Sequence, residues 1–273
     1  KIEVFDNEGN GYIGTIASLK PKAKPFKRVT VRLQHPVAGI LFKGDVARWK
    51  LKPPSIRNGL LHAPACDDLG GVAAAIAALD VIGKIRGLGH VGVLLTRAEE
   101  IGFVGAIAAA KHKTIQKSAR LLCLETSRSF PESPIGAGPI LRVGDKTSVF
   151  GPELTNTIAN IMNKYQATHK KFKWQRKLMP GGTCESTAFC AYGYISTCLC
   201  LPLGNYHNMR DIDGVLQKKK PAKIGPEIIS IDDFHGLVTM LTVVCKNLDK
   251  RRSSSLMRGL ETRFGKHKKL ITR

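Results

Sequence analysis

The sequence predicts an α/β fold: a mostly parallel sheet with helices on both faces, joined to a small β-rich domain. Three observations predict it. Beyond residue 65, near-continuous apolar runs of strand length alternate with helical segments, as in a sheet buried on both sides. Residues 1–61 instead combine apolar–polar alternation with turn chemistry, as half-buried strands do. The change of pattern follows a Pro/Gly/Asn loop, KPPSIRNG.

Taken in order, DNEGNGYIG (6–14) sets turn residues between apolar ones, and RVTVRL (28–33) alternates strictly. PVAGILF and DVARWKL follow. LGGVAAAIAALDVIGKI (69–85) reads as a Gly/Ala-rich buried helix, HVGVLLTR (90–97) as a buried strand, and GFVGAIAAAKH (102–112) as a helix. ARLLCLET (119–126) is a second buried strand, and Pro152 to Gln166 has amphipathic helical spacing. ISTCLCLPL (195–203) is another buried strand. IDDFHGLVTMLTVVCKNL (231–248) is a helix whose early acids complement the dipole. Residues 249–273 form a basic tail with sparse apolar residues. The predicted organisation is therefore 1–61, 62–248 and 249–273. There is no internal repeat.

Of the 273 residues, 43% are apolar and 23% charged, which excludes disorder as the main state. No apolar run reaches the ~20 residues that span a bilayer, so no membrane partner is expected. Lys plus Arg is 43 against 21 Asp plus Glu, a net charge of +22. The excess is greatest in residues 1–66, 164–177 and 246–273. Such runs are ordinarily solvated faces, but together they make RNA or another polyanion a candidate partner. Its contacts would come from Lys170, Lys171, Lys173, Arg251, Arg252, Lys268 and Lys269. No zinc-finger spacing, helix-turn-helix signature or RNP-like motif supports base readout. The seven cysteines are odd in number, contain no CxxC pair and sit mostly in apolar stretches. They read as free thiols of an intracellular, reducing compartment, the cytoplasm or a mitochondrion. The N-terminus lacks a secretory signal. It begins with Lys1 rather than Met, so the chain is expected to be processed, truncated or one piece of a longer protein.

In open α/β sheets, sites lie beyond the carboxyl ends of the strands. Ala98-Glu99-Glu100 follows HVGVLLTR, Glu125 follows ARLLCL, and Gly204-Asn205-Tyr206-His207 follows STCLCLPL. Cys66-Asp67-Asp68 stands before the first long helix. Taken singly, Asp67-Asp68 is a helix cap, Glu99-Glu100 a solvated strand end and His207 a loop residue. Together they form a set of carboxylates and one imidazole suited to zinc, cobalt or manganese. Of two adjacent glutamates, one binds metal while the other accepts the proton of an activated water.

APACDDLGGVAAAIAAL (63–79), LTRAEEIGFVGAIAA (95–109), CLETS (123–127), GGTCES (181–186) and LGNYHNM (203–209) resemble the ordered motifs of the co-catalytic zinc aminopeptidases. The likeness is greatest to the tetrahedral and glutamyl type, over about residues 1–245. It implies a metal-dependent aminopeptidase acting on peptides with a free N-terminus, with one or two Zn²⁺ ions (Co²⁺ or Mn²⁺ as alternatives). By the matching motifs Asp67 bridges the metals, Glu100 and His207 complete one site, and Glu125 belongs to the other. Glu99 is the general base, Asp68 supports the centre, and Gly181, Gly182 and Thr183 line the substrate pocket. Residues 1–61 become the later part of a lid.

This sequence departs from that pattern in three places. Glu125 stands where the family usually has Asp, and Cys184 where an acid often follows GGT. The His-x-Asp motif that supplies one metal's histidine is not present, nor are the initial strands of the sheet. Two readings follow. One is an enzyme, active if the His-x-Asp segment belongs to the full protein. The other is a catalytically degenerate aminopeptidase fold serving as a basic structural or RNA-binding component of a ribonucleoprotein assembly. An oligomer, or membership of a larger assembly, is expected in either case.

Overall fold

The computed structural model describes residues 1–250 and 255–271. It divides into two compact units, Lys1–Pro54 and Ser55–Arg273.

In the first unit, β1 (Ile2–Phe5), β2 (Gly11–Lys20), β3 (Arg28–Leu33) and β4 (Val46–Trp49) form an antiparallel sheet in the order β3-β2-β1-β4. The β1–β2 turn is built by Asp6. Its carboxylate accepts the backbone N–H groups of Glu8 and Asn10, while Gly9 takes a φ of +87°. The RVTVRL alternation coincides with β3.

The second unit contains β5 (Ser55–Arg57), β6 (Leu60–Ala63), α1 (Leu69–Gly83), α2 (Val104–Lys111), β7 (Arg120–Arg128), β8 (Ile140–Asp145), α3 (Pro152–Thr168) and β9 (Gln175–Met179). It continues with α4 (Glu185–Ala191), β10 (Ile195–Leu203), α5 (Ile212–Leu216), β11 (Glu227–Ser230), α6 (Ile231–Asn247) and α7 (Ser255–His267). The main sheet has the order β7-β10-β8-β9, and a smaller one the order β11-β6-β5.

Three expectations need correction. The main sheet is mixed: β7 and β10 are parallel, as are β8 and β9, but β8 runs antiparallel to β10. The short strands β8 and β9 carry Arg142, Gln175 and Lys177 among few apolar residues, so the apolar-run criterion passed over them. The first unit ends at Pro54, ahead of the sequence boundary at residue 61, because β6 pairs with both β5 and β11. HVGVLLTR forms no strand, and Val93, Leu94 and Leu95 are exposed. Within 249–273, read as a basic tail, lies the 13-residue helix α7.

Helices do cover both faces of the main sheet, and β10 shows how. Its residues Leu199, Leu201 and Leu203 pack with Ala74 and Ala78 of α1, Ile158 and Met162 of α3, and Leu237, Met240 and Val244 of α6. Its alternate residues Cys198 and Cys200 turn to Ala106 and Ala109 of α2 and Ala188 and Phe189 of α4. Full burial of each leucine contributes about 1.5–3 kcal/mol. At the start of α6, Ser230 caps the helix by accepting the Asp233 N–H. Asp233, only 1% exposed, accepts the backbone N–H groups of Gly136 at 2.7 Å and Gly138 at 2.8 Å. All seven cysteines are free; five are buried, and Cys190 and Cys245 are partly so. No helix is long and apolar enough to cross a membrane, among the described residues.

Candidate functional site

The parallel strands β7 and β10 carry the site. Glu125 lies within β7, opposite Cys200 of β10. Beyond β10, the chain turns sharply through Asn205, His207 and Asn208, all at positive φ. Two amides hold that turn. Asn205 donates to the Pro226 carbonyl, and Asn208 donates to those of Pro64 and Gly225. His207 is thereby brought over Asp67, with Nε2 3.5 Å from Oδ2.

Asp67 and Asp68 precede α1. Asp68 caps the helix, its Oδ1 accepting the Gly71 N–H at 3.1 Å. The Asp67 N–H donates to Glu227 of β11 at 2.9 Å. Glu99 and Glu100 occupy a 3-10 turn, Glu99–Ile101, framed by Ala98 at φ 60° and Phe103 at φ 58°. This turn closes tightly on α2: Gly105 donates to the Arg97 carbonyl, and a Cβ on Gly105 would lie 2.4 Å from that oxygen.

One cleft of about 230 Å³ is lined by Asp67, Glu99, Glu100, Glu125, Thr183, Tyr206 and His207, with Gly102 and Phe103. The site residues predicted from four separate loops thus meet in one place. Carboxylate oxygens of Asp67, Asp68 and Glu125 all lie within 4.8 Å of one another. A second, adjoining recess shares Glu125, Thr183 and Tyr206 and is lined also by Gly181, Gly182, Arg128 and Arg142. Gly182 presses its backbone on Tyr206, whose hydroxyl would be 3.3 Å from an added Cβ.

The electrostatics are those of crowded acids. Burial, and then the charge of Asp67, pushes the Asp68 and Glu125 carboxyls well above the usual range. Glu99 is pushed up to about 7 by burial and by Glu100, Glu185 and Asp67. Burial and Asp67 raise Glu100, and burial raises Glu185 and Glu227. His207 is raised by its hydrogen bond to Asp67, which favours its charged form. Tyr206 is pushed up to about 12 by burial and the neighbouring carboxylates.

These residues fit a divalent cation. Among the described residues, the one ion pair to Asp67, Asp68 or Glu125 is that of His207. A cation among them would relieve the repulsion that, after burial, raises the Asp68 and Glu125 carboxyls. Oxygen donors with an imidazole at hand suit zinc, manganese or cobalt. Asp68 lies with the donor oxygens as well as capping α1, so the metal-ligating and supporting roles are not separated by position alone.

Residues 37–220 match the model of the M42 glutamyl aminopeptidase family. The chain belongs to this family. No curated protein matches it. Among solved structures, it is similar to the TET1 peptidase of Pyrococcus horikoshii, described as assembling into a tetrahedron or a large octahedral shell. That match has 18% identity and a TM-score of 0.65, and covers 89% of this chain and 71% of the other. A TET aminopeptidase from a marine-sediment Thaumarchaeota archaeon matches with 18% identity and a TM-score of 0.65, over 91% of this chain and 70% of its own. An aminopeptidase of the archaeon Desulfurococcus kamchatkensis matches with 18% identity and a TM-score of 0.63, over 89% and 67%. These likenesses establish the mixed α/β fold of the M42 chain.

Sequence reasoning missed several residues in and around the cleft. Tyr206 lines both cavities, Glu227 holds the Asp67 backbone, and Glu185 accepts from Thr96 Oγ1 at 2.5 Å. Tyr206 and Glu185 sit inside the motifs LGNYHNM and GGTCES, where a search of motif neighbours would have found them. Glu227 carries no local signal. Of the polyanion candidates, Lys170, Lys171, Lys173, Lys268 and Lys269 are exposed. Arg251 and Arg252 lie outside the described residues.

Proposed function

We propose that the chain is a metal-dependent aminopeptidase hydrolysing peptides with a free N-terminus. One observation carries this reading: four carboxylates and a histidine from four separate parts of the chain line one open cleft, at a mutual repulsion that a core does not require. Asp67, Glu100, Glu125 and His207 would hold one or two divalent cations, zinc foremost, and Asp68 would brace Asp67. The bound metal would polarise the scissile carbonyl and acidify water.

The rest of the chemistry belongs to side chains. The negative cleft draws in the substrate's α-ammonium group. Glu99, with a pKa of about 7, exchanges protons readily near neutral pH. It accepts the proton of the attacking water and returns it to the leaving amine nitrogen. Gly181, Gly182 and Thr183 line the recess that receives the first side chain. Thr126 Oγ1, Arg128 Nε and Arg142 Nε, three buried polar atoms without a hydrogen-bond partner among the described residues, all belong to residues lining that recess. Arg128 pairs with Asp213, and Arg142 donates to Ser127 and to the Gly182 carbonyl, so both guanidinium groups are largely engaged within the chain.

The free thiols suit a reducing, intracellular setting, and assembly into a closed oligomer would match what is described for the TET1 peptidase. Residues 1–54 would serve as part of a lid.

The test is hydrolysis of glutamyl- and leucyl-anilides by metal-loaded protein. Cleavage of at least one anilide is expected, with Glu99→Gln lowering turnover about 10²–10⁴-fold. Glu99→Gln should leave metal uptake unchanged by calorimetry. Metal uptake without hydrolysis of any aminoacyl anilide would favour the degenerate, non-enzymatic reading.

A further inference from the structure

We propose that α7 is a peripheral membrane-binding helix that lies on anionic phospholipid surfaces. The helix and the single turn after it (Lys268–Leu270) are exposed from Met257 through Ile271. On a helix of 3.6 residues per turn, Leu260 and Phe264 stand one above the other, with Met257 a turn earlier. These three are 49%, 54% and 58% exposed, so an apolar stripe faces outward along the helix. Arg258, Arg263 and Lys266 project from the remaining circumference, Lys268 and Lys269 follow, and Glu261 is the one acid of residues 255–271. Leu270 and Ile271 extend the apolar surface, at 81% and 74% exposure.

Charge decides which partner this surface fits. A second copy of the helix would bring two strongly cationic flanks together and repel. Nucleic-acid phosphate would satisfy the cations but has no use for the apolar stripe. An anionic lipid surface satisfies both, the side chains of Leu260 and Phe264 entering the acyl boundary while Arg and Lys stay among the headgroups. This departs from the expectation of no membrane partner, which rested on the lack of a spanning run; a helix lying in the interface needs none.

The experiment is flotation of the full chain with vesicles of phosphatidylcholine alone or with about 30% phosphatidylglycerol. Binding only to the anionic vesicles is expected, weakening as NaCl rises from about 50 to about 500 mM. Because the chain is basic overall, the deciding variant keeps the charge: Leu260→Gln with Phe264→Gln should reduce vesicle affinity about tenfold or more. Phe264→Trp should show blue-shifted emission on binding. No binding to anionic vesicles would overturn the proposal. So would equal binding by the double Gln variant, which would assign the attraction to the basic body alone. Displacement by polyuridylate of a double variant that still binds would identify polynucleotide phosphate as the partner instead. Conversion of an oligomer to a monomer by the same variant, seen by sedimentation velocity, would give the stripe to a second copy and overturn the proposal as well.

Discussion

Asp233 and Glu125 are two carboxyl groups withdrawn from water, in opposite surroundings. Asp233 accepts two backbone N–H groups, from Gly136 and Gly138, which counter the cost of its burial. Among the described residues, Glu125 accepts only the N–H of its own neighbour Thr126, and it faces Asp67 and Asp68 instead. The first is a fastening, fixing the loop after β7 to the start of α6. The second is held in place by the strand while its charge is opposed. Where a fold surrounds a buried acid with donors, the acid serves structure; where it surrounds it with other acids, a cation is the missing partner.

Four measurements would break or sharpen this contrast, the largest effect first. Asp233→Ala strands two buried N–H groups and should lower unfolding stability by about 3–5 kcal/mol in urea titration. A loss under about 1 kcal/mol would mean that the turn at 136–138 holds without it. Next, zinc added to the metal-free protein should raise stability by about 2.7 kcal/mol at a hundredfold excess over Kd, and Glu125→Gln should remove most of that gain. Third, in metal-free protein Glu125→Gln should be neutral or stabilising by about 1 kcal/mol, since it deletes a repelled charge. Asp233→Asn, a change of the same kind, should destabilise. Equal signs for the two would erase the distinction.

The smallest effect is on pH dependence. Glu99, Glu100, Asp68 and Glu125 have carboxyls raised above their unfolded values, so the folded state binds their protons more tightly. Their contribution to stability therefore rises as pH falls through about 7 toward the ordinary carboxylate range. Metal-free protein should melt at higher temperature at pH 6 than at pH 8, whereas bound zinc, which needs deprotonated ligands, should flatten or reverse that slope.

How far the sequence disclosed this molecule depends on where the information lay. The bounds of β10 were read to the residue, because ISTCLCLPL is apolar on both faces and lies between two strands. HVGVLLTR has the same apolar character, yet Val93, Leu94 and Leu95 are exposed and form no strand. Apolar composition records a tendency to be buried; a strand also needs a neighbour for its backbone. The mixed pairing of the main sheet escaped notice because direction is set by connections, which composition does not encode. The residues of the cleft were legible though not their settings: Asp67 precedes α1 and His207 follows β10 as expected, but Glu125 lies inside β7, and Glu99 and Glu100 stand in a turn that no strand precedes. Glu227 was invisible, 160 residues from the Asp67 amide that it holds.

The double duty of Asp68 bears on how this chain is free to change over generations. Its carboxylate caps α1, and Gly71 beneath it admits no side chain, an added Cβ falling 2.3 Å from Asp68 Oδ2. The DDLGG segment is thus guarded by folding as well as by chemistry, and a descendant that had abandoned catalysis would still keep Asp68 and Gly71. Glu99 and Glu100 cap no helix: the turn they occupy has Ala98 at its cap position, without a side-chain hydrogen bond. Drift in a lineage released from catalysis would begin at those two glutamates rather than at Asp68 and Gly71.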